Sequence, residues 1–170
     1  MIDVTPHIKK LDIGSTMKKK KLFLNDKKTK WCIVQLYNHK YDMQQAYIKY
    51  CKQRGQKPDP ILGASTHYEK IYIGDKGKEK LSGETGTVFL CAEHCGAGLV
   101  AHELLHAVLY AWKHKLNKEQ YPITIKNMDE EEEILRNLTF AISQFYQWFY
   151  NNTNSVEPAP TLHYKLKQNN

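Results

Sequence analysis

Within residues 96–115, the run His102-Glu103-Leu104-Leu105-His106 sets two imidazoles and a carboxylate at helical spacing. Residues four apart share one face of a helix, so both imidazoles point the same way. Two nitrogen donors on one face suit a zinc ion. A glutamate offset around the helix suits a general base acting on a metal-activated water. The surroundings strengthen the reading. Leu99, Val100 and Ala101 precede the pattern, and Ala107, Val108, Leu109, Tyr110, Ala111 and Trp112 follow it. A helix apolar on almost every side is a core helix, and polar groups within it need partners. The plainer reading is two helix histidines with no metal, but if buried they would still need partners.

A catalytic zinc takes three protein ligands and keeps a fourth position open. The metzincin spacing would place a third histidine six residues after His106, where Trp112 stands. A carboxylate from the following helix is the better candidate, and Glu130, Glu131, Glu132 and Glu133 open one. Most of that run serves the helix itself. First-turn acids complement the helix dipole, and Asp129 with Glu132 fits a capping box. By helical phase Glu131 lies one turn before Ile134 and Leu135 on the apolar stripe, with Glu132 flanking it, which slightly favours Glu131. Cys91, His94 and Cys95 are close in sequence, but Cys32 and Cys51 supply no matching C-x-x-C pair for a structural zinc site. Nothing in the sequence marks a cysteine as a nucleophile.

The elements that must position these groups follow from periodicity. Residues 31–37, rich in β-formers, predict a buried strand. Asp42 fits an N-cap, with Met43, Ala46, Tyr47 and Tyr50 at helical spacing up to Cys51. Gly55, Pro58 and Pro60 end that helix in a loop. Residues 67–74 alternate as a strand. Residues 75–86, with Gly77, Gly83 and Gly86, form a hairpin loop, and residues 87–91 a second strand. Thr87, Val88, Phe89 and Leu90 are thus expected to be the edge strand beside the metal, where an extended peptide can pair. After Pro122, residues 123–125 read as extended. Asn127 or Asp129 caps a last helix whose stripe is Ile134, Leu135, Leu138, Ala141, Ile142, Phe145 and Phe149. The fold class is α+β, a short mixed or antiparallel sheet packed on the H-E-x-x-H core helix and a following C-terminal helix.

The chain has 170 residues and a net charge of +7, which suits one domain with a real core. The charge is uneven. Residues 1–30 hold nine lysines against three aspartates, while the remainder holds sixteen basic and fifteen acidic side chains. We therefore read residues 1–30 as a basic N-terminal arm with room for one short strand, residues 31–150 as the domain, and residues 151–170 as a polar tail. The arm is a solvated leader or a weak electrostatic contact for nucleic acid. No aromatic interleaves the lysines before Phe23, so base stacking is not suggested. No signal peptide or membrane span is legible, and four cysteines without a leader point to reduced thiols in a cytoplasm.

The order strand, turn, strand, H-E-x-x-H helix, then a helix opening with paired glutamates is similar to minimal gluzincin-type zincins. It resembles more closely the ImmA/IrrE-like metallopeptidases and small zincin-like proteins of phages and prophages. The matching text is residues 61–68, 87–90, 99–107 and 132–139, so the resemblance spans about residues 60–146. It implies a small zincin-like domain with one zinc ion held by His102, His106 and a glutamate of the second helix. The family pattern places that glutamate at Glu132, with Leu135, Leu138 and Thr139 behind it, and leaves Glu131 as runner-up. The arm at residues 1–30 has no counterpart in it.

The expected activity is metal-assisted hydrolysis of a peptide or protein substrate, in a bacterium or a phage-infected host cell, with Glu103 as general base. Tyr110, Tyr121, His94 and His163 are candidate donors to the developing oxyanion or supports for the ligands. Two other readings stand beside it: a catalytically silent zincin-fold protein that binds a host factor, and nucleic-acid contact through the lysines. The sequence carries no signal for substrate identity or oligomeric state.

Overall fold

A computed structural model of the chain describes residues 17–61, 63–68, 71–73, 79–115, 125 and 127–153. Its elements run β1 (Met17–Phe23), β2 (Trp31–Tyr37), α1 (Lys40–Gln53), β3 (Ala64–His67), β4 (Ile71–Ile73), β5 (Glu79–Leu81), β6 (Glu84–Cys91), a single 3₁₀ turn (Ala92–His94), α2 (Ala97–Lys115) and α3 (Met128–Asn152). Among the described residues the main sheet has the order β1-β2-β6-β3, and β4 pairs with β5 in a separate ribbon. β2 and β6 are parallel, while β1 and β3 are antiparallel to their neighbours, so the sheet is mixed. The class is α+β, as expected from the periodicities.

Successive strand residues face opposite ways, and each face of the sheet has its own cover. On one, Leu22, Cys32, Val34, Leu36, Val88 and Leu90 meet Val100, Leu104, Val108 and Ala111 of α2 and Ile134, Ala141, Phe145 and Phe149 of α3. On the other, Tyr37, Phe89, Cys91 and Ala64 meet Met43, Ala46, Tyr47 and Tyr50 of α1. The Phe89 ring takes edge-on contacts from Tyr47 at 5.9 Å and Tyr50 at 5.5 Å. β6 is covered on both faces, which is why its sequence reads as an apolar run rather than an alternation.

Four expectations change. First, β6 lies between β2 and β3, so Thr87, Val88, Phe89 and Leu90 are not an edge; the edge beside α2 is β3. A side chain at Gly86 would collide with the Thr66 carbonyl, so the close β3–β6 pairing depends on that glycine. Second, the one short strand allowed within residues 1–30 is β1, and it belongs to the main sheet. β1 pairs with β2 from Met17 opposite Tyr37 to Phe23 opposite Trp31, and Leu22 and Leu24 are buried. The lysine run therefore lies on an edge strand, a placement that discourages edge-to-edge association. Lys18 Nζ donates to the Asn152 carbonyl at 2.9 Å, and Lys21 Nζ lies 3.6 Å from the Trp31 ring centre. Third, the strand expected over residues 67–74 divides into β3, which starts earlier, and β4. Fourth, His39, not Asp42, occupies the N-cap of α1, and Asp42 lies in its first turn.

At α3 the cap is Asn127, whose side chain accepts from Glu130 N at 3.0 Å, in place of the Asp129–Glu132 capping box. Residues 123 and 124, expected to be extended, lie outside the described residues. Among the described residues no helix is long and apolar enough to cross a membrane.

Candidate metal centre

α2 forms because residues 99–112 hold eight strong helix formers (Leu, Ala and Glu), no Gly or Pro, and an apolar inner face. Leu104, Ala107, Val108 and Ala111 fill that face against the sheet and α3. Burying them turns residues 102 and 106 outward, and both histidines are exposed at the surface. Their Nε2 atoms stand 3.2 Å apart, with ring centres at 4.7 Å and planes at 84°. Two nitrogens each about 2.05 Å from a tetrahedral zinc are about 3.3 Å apart. The imidazole pair therefore matches one edge of a zinc coordination sphere in donor type and spacing.

Glu103 projects to one side of the pair and is 6 % exposed. It faces β3, where the Ser65 backbone N–H donates to its carboxylate. Burial raises its pKa, outweighing the nearby charge of His102 and the Ser65 hydrogen bond, which both lower it. The carboxyl is thus a stronger base than an ordinary glutamate, as proton abstraction near neutral pH requires. A Cβ at Gly63 would lie 3.3 Å from Glu103 Cγ and 3.3 Å from the Phe89 carbonyl oxygen, so the strand's approach to Glu103 leaves no spare room. Burial, with the charge of His102 second, lowers the pKa of His106 and favours the neutral imidazole that binds metal.

Around the pair the expected residues divide. Tyr110 follows His106 by one turn, and its ring stacks on His67 at 4.6 Å and 15°. His94 is exposed in the turn before α2, and no hydrogen bond, ion pair or ring contact joins it to the pair among the described residues. Tyr121 and His163 lie outside the described residues. Glu131 and Glu132 are exposed in the first turns of α3. Of the four glutamates, Glu133 lines a cavity of about 240 Å³ with Val108, Ala111, Trp112 and Asn137. Val108 lies about 200° around the helix from His106, so that cavity is on the far side of α2. No three His, Cys, Asp or Glu side chains form a metal-binding group among the described residues. The first-turn acids are accounted for by the helix dipole they complement.

All four cysteines are free thiols. Burial pushes Cys32 and Cys95 up to about 12 and raises Cys91, which keeps all three as thiols near neutral pH. Beside Cys91, Glu93 is engaged by His39 Nδ1 at 2.9 Å and by the Lys40 N–H at 3.3 Å.

Three residues of the site were not singled out from the sequence: Gly63, Ser65 and His67. The available signal was the period of two that sets Ser65 and His67 on one face of a strand, opposite Ala64. The histidine at its end would have drawn attention once β3 was seen as the edge. The chain matches no protein-family model, and no curated protein or solved structure is significantly similar to it.

Proposed function

We propose that the chain is a zinc-dependent peptidase of the minimal zincin kind, working at His102, Glu103 and His106. One observation carries the reading: two imidazole nitrogens 3.2 Å apart on an exposed helix face, with a buried glutamate beside them tied to an edge strand. His102 and His106 would hold the ion. When bound, zinc supplies Lewis-acid polarisation of a carbonyl and of a water molecule. Glu103 would take a proton from a water whose oxygen adds to the peptide carbonyl carbon, and would return that proton to the amine nitrogen as the C–N bond breaks, leaving a carboxylic acid and an amine. The Ser65 N–H keeps the carboxylate in place for both transfers. An extended substrate pairs with the outer edge of β3, replacing the β6 placement expected from sequence. Tyr110, on the face of α2 that carries His106, supplies a hydroxyl donor for the developing oxyanion.

The test is Glu103→Gln in the full chain, assayed on a mixed peptide library with zinc content measured in parallel. The reading expects zinc content unchanged and hydrolysis reduced at least about a hundredfold. Unchanged hydrolysis would remove Glu103 from the mechanism. A wild-type protein that binds zinc and cleaves nothing would favour the silent binding protein instead.

A further inference from the structure

The zinc reading leaves a third protein donor to find, and the two flanks of the histidine pair differ in what they offer. By helical phase Leu105 and Leu109 lie on one side of the pair, and Glu103 and Tyr110 on the other. On the leucine side the partly buried Leu138 and Ile142 of α3 pack on the core cluster. On the other side β3 ends in His67, whose ring centre is 6.5 Å from that of His106. Two imidazoles sharing a tetrahedral zinc have ring centres about 5 Å apart, from a Zn–N bond of about 2.05 Å. The His102–His106 separation of 4.7 Å already meets that value. His67 falls about 1.5 Å short of it, within reach of a rotation about its own two side-chain torsions.

We infer that His67 is the third zinc donor, giving a three-histidine centre assembled from α2 and β3 rather than from α2 and α3. The inference rests on the zinc reading above. Its placement has a structural logic. β3 also carries Ser65, so one edge strand fixes the general base and brings the last ligand. Tyr110 stacks on the His67 ring at 4.6 Å and 15°, on the side of α2 that carries His106. Three neutral ligands leave the full charge of the ion in the site, which favours polarisation of a carbonyl over a site with a carboxylate ligand.

The experiment is zinc affinity by chelator competition on the full-length wild type, His67→Ala and Glu132→Gln, with X-ray absorption of the zinc-loaded wild type. Losing even a partner behind a ligand lowers affinity ten- to a hundredfold, so losing a ligand is expected to exceed about a hundredfold. The inference predicts that loss in H67A, affinity within twofold of wild type in E132Q, and three imidazoles around the metal. Wild-type affinity in H67A with loss in E132Q would overturn it while leaving the zinc reading intact. No zinc bound by the wild type would overturn both. If H67A does not fold, His67→Cys loaded with cobalt decides: a thiolate-to-cobalt charge-transfer band supports the inference, and its absence in a folded protein refutes it.

Discussion

On one side of the histidine pair, β3 brings Gly63, Ser65 and His67 against Glu103 and Tyr110. On the other, Leu105 and Leu109 of α2 and Leu138 and Ile142 of α3 are partly buried and pack on the shared core. The strand flank has a backbone donor, a buried carboxylate and a third imidazole within a few residues. On the helix flank the leucines and Ile142 pack on the core. The difference separates two tasks. α3 stabilises α2 from below and beside, whereas β3 orients the groups that would do chemistry. Damage to the two flanks should therefore register in different measurements.

The largest stability effect belongs to the helix flank. Phe145 of α3 is fully buried and touches Phe149, Trp148 and Tyr146. Phe145→Ala should cost about 3–5 kcal/mol in urea unfolding while the molecules that remain folded bind zinc as the wild type does. An equal loss of metal affinity per folded molecule would show that the two flanks are not separable. A smaller effect comes from the strand flank and has the opposite sign. Burial raises the Glu103 pKa in the folded, metal-free chain. The folded state therefore holds that proton more tightly than the unfolded state. Ionising Glu103 costs nothing below its unfolded value of about 4.3 and costs progressively more as pH rises through the raised folded value. Glu103→Gln removes that penalty, so the metal-free variant should melt higher than the wild type at pH 7. At pH 3.5 it should match the wild type. A variant less stable than wild type at pH 7 would mean that the Ser65 hydrogen bond outweighs desolvation. The smallest effect is at the start of α3. Glu131→Gln with Glu132→Gln should reduce stability by about 0.3–1 kcal/mol through the helix dipole and leave zinc affinity within twofold. A tenfold loss of affinity would return the third ligand to α3.

His102, Glu103 and His106 were legible because three polar groups in a long apolar helix are conspicuous and their spacing matches the helical period. The stripe of α3 was legible for the same reason, from Ile134 to Phe149. The short strand allowed in the arm could not be placed, nor its membership of the sheet seen, because four consecutive lysines hide the alternation that the burial of Leu22 and Leu24 reveals. β3 was misplaced because Ala64-Ser65-Thr66-His67 has no apolar alternation of its own; its pairing with β6 holds it extended. The role of β6 was misread because neighbours in a sheet are set by long-range contacts. Its parallel pairing with β2, across α1 and β3, leaves no local mark, and a strand read as the edge proved interior. The glutamates of α3 illustrate a further limit. A first-turn acid that complements the helix dipole and a metal ligand look alike in sequence.

The most direct test of the account is the zinc content of purified full-length protein, measured by mass spectrometry of the metal after gel filtration and compared with His102→Ala. The account predicts close to one zinc per chain in the wild type, or uptake of one on addition, and loss of that binding in the variant. A folded wild-type chain that neither contains nor takes up zinc would contradict it.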